Sequence, residues 1–207
     1  FGRYNEVSRH FYRLLVAASD DMQPVSCDEA YVLMVGNLDV VAAAEQLRAT
    51  IRSELGITAS VGIAGNQLLA RLATKRAKPD GVFHLEDAHV EEYLKDLPVT
   101  DLPGVGRSLA AGLANLAITT CGQLAECPVV RLQEAFGAIL GKTLADRARG
   151  LDSRPFVSAA AVPRLPRQVG TEVTWGVRLK DADDGRRFVK GLVEEVAGRL
   201  ANLGTSV

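Results

Sequence analysis

The chain has 207 residues, 47% of them hydrophobic and 24% charged, with 24 Lys and Arg against 25 Asp and Glu. That balance excludes a disordered or fibrous chain, and no apolar run approaches the roughly 18 residues a membrane helix needs. Cys27, Cys121 and Cys127 lack CxxC spacing and His10, His84 and His89 lack helical pairing. A disulfide framework and a Cys/His zinc site are therefore excluded, a reducing compartment is favoured, and without a charged-then-apolar leader secretion is not expected.

In chain order, Val7, Phe11, Leu14, Leu15 and Ala18 fall at helical spacing within Glu6–Ala18. Beyond Pro24, Val25–Val35 is rich in β-branched and apolar residues and reads as a strand covered on both faces, with Asp28 and Glu29 set into it. Val40, Ala44, Leu47, Ile51 and Leu55 trace a helix stripe, and Thr58–Ala64 reads as a short strand. Asn66 is placed to cap a helix that must end by Pro79, and Val82–Leu85 reads as one more strand. This alternation implies an α/β layer up to about residue 85.

From Glu86 to Gly150 the pattern predicts only helices: Asp87–Leu97, Arg107–Leu116, Gly122–Glu126, Pro128–Phe136 and Ala138–Arg149. Asp152–Gln168, with Pro155, Pro163 and Pro166, reads as a linker. Thr171–Leu179 then alternates as a strand and Asp184–Leu203 as an amphipathic helix. One strand and one helix cannot close a core, so this last unit reads as unfinished.

Local charge says more than the near-zero total. Arg71, Lys75, Arg76 and Lys78 lie together without an acid, whereas Glu86, Asp87, Glu91, Glu92, Asp96 and Asp101 face Lys95 alone. Three clusters carry candidate chemistry. Asp28 and Glu29 in an apolar strand need a partner or a metal, and Mg²⁺ would supply one through hard oxygen ligands. Successive strand residues point to opposite faces, so both reach one site only at a strand end, bend or bulge. The alternative is a strand end where both acids meet water.

Arg71, Lys75 and Lys78 fall at i, i+4 and i+7, a stripe that can hold a polyphosphate or a nucleic-acid backbone. The alternative is a solvated face with cations placed near a helix C-terminus. Leu102-Pro-Gly-Val-Gly-Arg-Ser108 allows a tight turn with exposed N–H groups, followed by a helix start bearing Arg107. It reads as a helix–hairpin–helix phosphate clamp, with an ordinary αα turn as the alternative. Together the three clusters point to phosphoryl chemistry on a nucleic acid.

Val25-Ser-Cys-Asp-Glu-Ala30, Ser60-Val-Gly-Ile63, Asn66 through Ala77-Lys-Pro-Asp-Gly81 and Leu102-Pro-Gly-Val-Gly106 resemble, in that order, the Y-family translesion DNA polymerases. Cys27, Leu69–Thr74, Thr120–Leu124 and Arg149–Pro155 are similar to the deoxycytidyl transferase branch. The resemblance implies a mixed α/β fold: a partial palm over 1–85, an all-helical thumb with its helix–hairpin–helix over 86–152, a linker over 153–167, and the start of an incomplete little finger over 168–207. It implies two Mg²⁺ ions, with Asp28 and Glu29 as catalytic acids and metal ligands. It places Lys78 on the incoming triphosphate, with Arg71 and Lys75 on the same helix face, and Gly104, Val105, Gly106 and Arg107 on the DNA backbone.

The implied reaction is two-metal nucleotidyl transfer in translesion synthesis, inserting dCMP opposite guanine or an abasic site. The implied partners are primer–template DNA, dCTP and other translesion polymerases through regions outside this sequence, and the implied compartment is the nucleus. The family's first metal-binding aspartate, its fingers, the segment whose arginine pairs with dCTP and the remaining little-finger strands are not among these residues. The 207 residues alone are therefore expected not to polymerise. The alternative reading is a non-catalytic module that grips duplex DNA and scaffolds other polymerases.

Overall fold

A computed structural model describes residues 2–36, 39–161, 168–173 and 181–203, arranged as two units, 1–160 and 161–207. Helix α1 (Gly2–Ala17) buries Leu15, which with Met22 and Ile51 centres a small core that Phe11, Tyr12, Leu14 and Leu47 complete. Helix α2 (Val40–Leu55) packs beside it and is capped by Asp39, whose Oδ1 accepts from the Ala42 N–H (3.0 Å).

The continuous strand expected over Val25–Val35 is instead a turn and one strand of a hairpin. Strand β1 (Asp21–Pro24) pairs antiparallel with β2 (Ala30–Leu33), Asp21 opposite Leu33 and Pro24 opposite Ala30. The Val25 and Ser26 N–H groups both donate to the Glu29 carbonyl (2.9 and 3.1 Å), closing residues 25–29 as the connection. Asp-Met-Gln-Pro has too little β character to announce a strand; pairing with β2 and burial of Met22 make it one.

Strands β3 (Val61–Ile63) and β4 (Val82–His84) run parallel, with α3 (Gln67–Ala77) as their crossover. Gly62 is required here: a Cβ on it would lie 2.1 Å from the Thr74 nitrogen and 2.4 Å from the Ala70 oxygen. The helix rests directly on the strand backbone.

Beyond β4 the chain is helical, as expected, but more finely divided. A 3-10 turn (Asp87–His89) leads into α4 (Val90–Lys95), and a second (Val99–Asp101) precedes α5 (Arg107–Asn115), α6 (Cys121–Glu126), α7 (Val129–Phe136) and α8 (Ala138–Ala148). One apolar cluster joins Leu68, Leu69, Leu72 and Ala73 of α3 to Leu94, Leu113, Leu124, Leu132 and Leu144 of these helices and to Leu102 ahead of α5. Cys121 and Cys127 lie inside it, and burial pushes the Cys121 thiol up to about 12; Cys27 is exposed. The buried thiols are packing groups.

The segment expected as a linker begins against the first unit. Val157 N–H donates to Gln23 Oε1 (2.7 Å), Ser158 Oγ to Asp21 Oδ1 (2.8 Å), and Ala159 packs on the Leu15–Met22–Ile51 core. Residues 162–167 and 174–179, the rest of the expected linker core and most of the expected Thr171–Leu179 strand, lie outside the described residues. In the second unit α9 (Ala182–Asn202) is capped by Asp181, whose Oδ1 accepts from Asp184 N–H (2.8 Å). Thr171 Oγ1 donates to Glu195 Oε2 (3.0 Å) and Arg199 to the Gly170 carbonyl (2.6 Å); no described α9 side chain is buried.

Gly62→Ala should cost about 3 kcal/mol, because the strand or the helix must move off its seat. Gly106→Ala, at φ −84° with nothing within 4 Å of its Cβ position, should stay within about 0.5 kcal/mol. Thermal unfolding of the two variants side by side checks both.

Candidate active site

The hairpin turn sets Asp28 and Glu29 side by side at the end of β2, both exposed, so the strand-end geometry is the one realised. The turn is braced from α1. Ser8 Oγ donates to the Cys27 carbonyl (2.5 Å), and the Tyr12 hydroxyl reaches the carbonyls of Ser26 and of Glu29 (3.2 Å to the latter). Burial raises the Tyr12 pKa, and the neighbouring Cys27, Asp28 and Glu29 add to it, so the hydroxyl stays a donor.

Asp28 Oδ1 accepts from Ser26 Oγ (2.7 Å) and Cys27 Sγ (3.6 Å). The Ser26 bond above all holds the carboxyl below its ordinary range, and the positive charge of Lys78 contributes. Asp28 is thus anionic at neutral pH, and Lys78, at the end of α3, stands within its field. Paired carboxylates suit a hard divalent cation. Among the described residues no third His, Cys, Asp or Glu joins them. Asp28 and Glu29 therefore fit such an ion as part of a ligand set.

The cation stripe of α3 is divided in use. Arg71 and Lys78 are exposed, whereas Lys75 Nζ is drawn to Asp101 Oδ1 (2.6 Å), tying α3 to the 3-10 turn ahead of the glycine hairpin. In that hairpin Gly104 has φ +90°, and its open side is crossed by Arg147, whose Nη1 donates to the Pro103 carbonyl (2.6 Å). Val105 turns inward, 8% exposed, and its N–H is used by the Leu102 carbonyl (3.0 Å). It anchors the turn, which leaves Gly104, Gly106 and Arg107 on the surface. Gly106 begins α5 without a side-chain cap, and the Arg107, Ser108 and Leu109 N–H groups have no partner among the described residues. Such a helix start is an anion-binding surface.

Sequence reasoning did not find the second contact of α3 with the chain's later residues. Asp152, its side chain 5% exposed, accepts from the Leu68 N–H (3.0 Å) through Oδ2 and is gripped by Arg154 at both oxygens (2.8 and 2.7 Å). Asn66, besides capping α3 at Leu69 N–H (3.0 Å), donates to the Gly150 carbonyl (2.8 Å). The partners are 84 residues apart, and no local pattern joins them.

Residues 1–75 match the impB/mucB/samB family and residues 100–152 match the thumb domain of DNA polymerase iota. Both matches are to domains of Y-family DNA polymerases. It is 42% identical to the DNA repair protein REV1 of Arabidopsis thaliana over 97% of this chain and 18% of that protein. It is 39% identical to rev1 of Schizosaccharomyces pombe, over 97% and 22%. To DNA polymerase IV of Salmonella typhimurium it is 33% identical, over 97% of this chain and 57% of the relative. The chain thus spans about a fifth of the REV1 proteins and somewhat over half of DNA polymerase IV. Among solved structures, the Y-family chimera Dbh-Dpo4(243-245)-Dbh shares the fold at TM-score 0.82, with 24% identity over 95% of this chain and 57% of the other. DinB from Sulfolobus solfataricus matches at TM-score 0.68 and 26% identity, over 74% and 47%. The acid pair and the glycine hairpin fall inside the two matched segments.

Arg154 holds the Asp152 carboxyl below its ordinary range against the opposing effect of burial, helped by the Arg154 and Leu68 N–H groups. A depressed folded pKa stabilises the protein above the unfolded value, roughly 3.9, and that contribution is lost as pH falls through the folded value. Asp152→Asn should therefore destabilise the fold at pH 7 by about 1–2 kcal/mol, seen as a lower thermal midpoint. Its stability should also decline less steeply than that of the unsubstituted protein below about pH 4, as melting curves from pH 2 to 7 would record.

Proposed function

We propose that this chain is palm and thumb of a translesion DNA polymerase that transfers a nucleotide to a primer end under template direction. The observation that carries the reading is the Asp28–Glu29 pair, exposed on a braced turn, with Asp28 held anionic and Lys78 within its field. In this reading residues 1–85 are palm, 86–152 thumb, 153–167 the connection and 168–207 the start of the little finger. Asp28 and Glu29 hold Mg²⁺ together with a carboxylate from palm sequence outside these residues. When bound, two ions supply activation of the primer 3′-hydroxyl and charge stabilisation at the α-phosphate. Lys78, with Arg71 behind it, attracts the triphosphate. Gly104, Gly106 and Arg107 hold backbone phosphates of the primer duplex through free N–H groups and the guanidinium.

The REV1 proteins among the relatives support the narrower assignment: dCMP inserted from dCTP opposite guanine or an abasic site, in the nucleus, alongside other translesion polymerases. The test is single-nucleotide insertion by the full-length protein with Mg²⁺ and each deoxynucleoside triphosphate in turn. Preference for dCTP opposite an abasic site supports the branch, while indifference among the four places the protein in another Y-family branch.

Asp28→Asn should reduce insertion by at least about a hundredfold, since even outer-shell partners of a metal are worth 10–100-fold. It should leave primer–template affinity within about twofold, the turn lying away from the phosphate-binding hairpin in sequence and role. Insertion unchanged by Asp28→Asn refutes the metal site. DNA binding without insertion in the unsubstituted full-length protein gives the case to a scaffold. Gly106→Glu should weaken DNA binding about tenfold on every sequence, by bulk and repulsion of phosphate, as titrations with two unrelated duplexes would reveal.

A further inference from the structure

Two residues past Lys78 lies a polar array that the proposed chemistry does not use. Asp80 sits at φ +103°, and its N–H donates to Ser60 Oγ (3.0 Å). Its carboxylate accepts from Arg48 Nη2 on Oδ1 (2.6 Å) and from Arg52 Nη2 on Oδ2, and the same Arg48 nitrogen reaches the Asp80 carbonyl (2.7 Å). Arg48 Nε donates to the Ala59 carbonyl (2.8 Å), and its Nη1 pairs with Glu45 one turn back on α2. The Arg48 side chain is only 14% exposed.

One guanidinium from α2 therefore binds the chain just ahead of β3 and the turn just behind α3, and a second arginine grips the same carboxylate. The two cations hold the Asp80 carboxyl low, and Asp80 in turn holds the Arg48 guanidinium high. A planar fork with its donors committed to two carbonyls and two carboxylates fixes position in a way a single surface ion pair does not. The object it fixes is the Lys78–Gly81 turn. Lys78 has its N–H bonded to the Thr74 carbonyl (3.2 Å), while its side chain is exposed and ends a helix. A long flexible cation is directed chiefly by where its backbone is held.

We propose that Arg48, Arg52 and Asp80 form a positioning clamp that sets the Lys78 backbone so that its ammonium meets a polyphosphate beside Asp28. Arg48 and Asp80 act through Lys78 and do not touch the substrate. The inference rests on the reading of Lys78 as a triphosphate-binding residue.

The test is a double-mutant cycle in the full-length protein, inserting dCMP from dCTP opposite template guanine with Mg²⁺ and release of pyrophosphate. Asp80→Asn should raise KM for dCTP about tenfold, the scale of a small misplacement, with kcat and primer–template affinity within about twofold. Arg48→Lys keeps the charge but loses the fork, and should reproduce that split. Lys78→Ala should raise KM at least as far, and adding Asp80→Asn to it should change nothing more, because both act through one contact. Affinity of the primer–template complex for dCTP with Ca²⁺ in place of Mg²⁺ reads the same cycle without turnover. Additive effects, or a parallel fall in kcat and DNA affinity, would mean that the array only stabilises the fold and would overturn the clamp. An effective Lys78→Ala beside a silent Asp80→Asn overturns the clamp alone. A silent Lys78→Ala overturns both the clamp and the triphosphate role of Lys78.

Discussion

Helix α3 is pressed against the bare backbone of Gly62 on one side and sends Leu68, Leu69, Leu72 and Ala73 into the core of the helical region on the other. Each of these leucines is worth roughly 1.5–3 kcal/mol of burial, so the helix cannot rotate about its axis without exposing them. That constraint turns Arg71, Lys75 and Lys78 outward together. It also joins the βαβ layer to the helices that follow, since the same apolar cluster runs from Leu68 to Ala148. A segment that the chain order assigns to the first layer thus also packs into the second. The glycine hairpin inherits its placement from this core through Leu102 and Val105.

Around α3 the polar contacts are arranged to hold its two ends. At the N-terminus Asn66 and Asp152 satisfy the free N–H groups of Leu69 and Leu68. At the C-terminus the Arg48–Arg52–Asp80 array closes the turn into β4. The acid pair stands apart, on a hairpin braced from beneath by Ser8 and Tyr12. Exposed carboxylates that meet water cost little to keep charged, whereas the strand interior first expected for them would have imposed a desolvation penalty. The fold has put its candidate ligands where a cation can reach them and braced the turn that carries them.

Much of the helical architecture was legible because helical periodicity and caps are local: α2, α3 and α5 through α8 follow from apolar spacing together with Asn66 and the glycines. The strands were harder. A three-residue strand such as Val61–Ile63 carries too little pattern to bound, and β1 is a strand only by virtue of its partner. Of the candidate residues, Asp28, Glu29, Lys78 and the surface members of the hairpin were visible as chemistry set against the local pattern. Lys75 could not be distinguished from its neighbours on the stripe, because Asp101, which claims it, is 26 residues on.

By itself the sequence determined which residue types can do chemistry and in which short segments they sit, since spacing, capping and turn composition act within a few residues. It also carried the resemblance to the Y-family polymerases, because several motifs occur in one order. Only the tertiary structure decided that the acid pair lies on a turn and that Val105 is an anchor. The commitment of Lys75 to Asp101 and the reach of Asp152, Arg48 and Arg52 to the ends of α3 were likewise settled there. The contacts of Lys75, Asp152, Arg48 and Arg52 join residues from 26 to 84 positions apart. Contacts at such separation are selected by packing of the whole core, and no local preference encodes them.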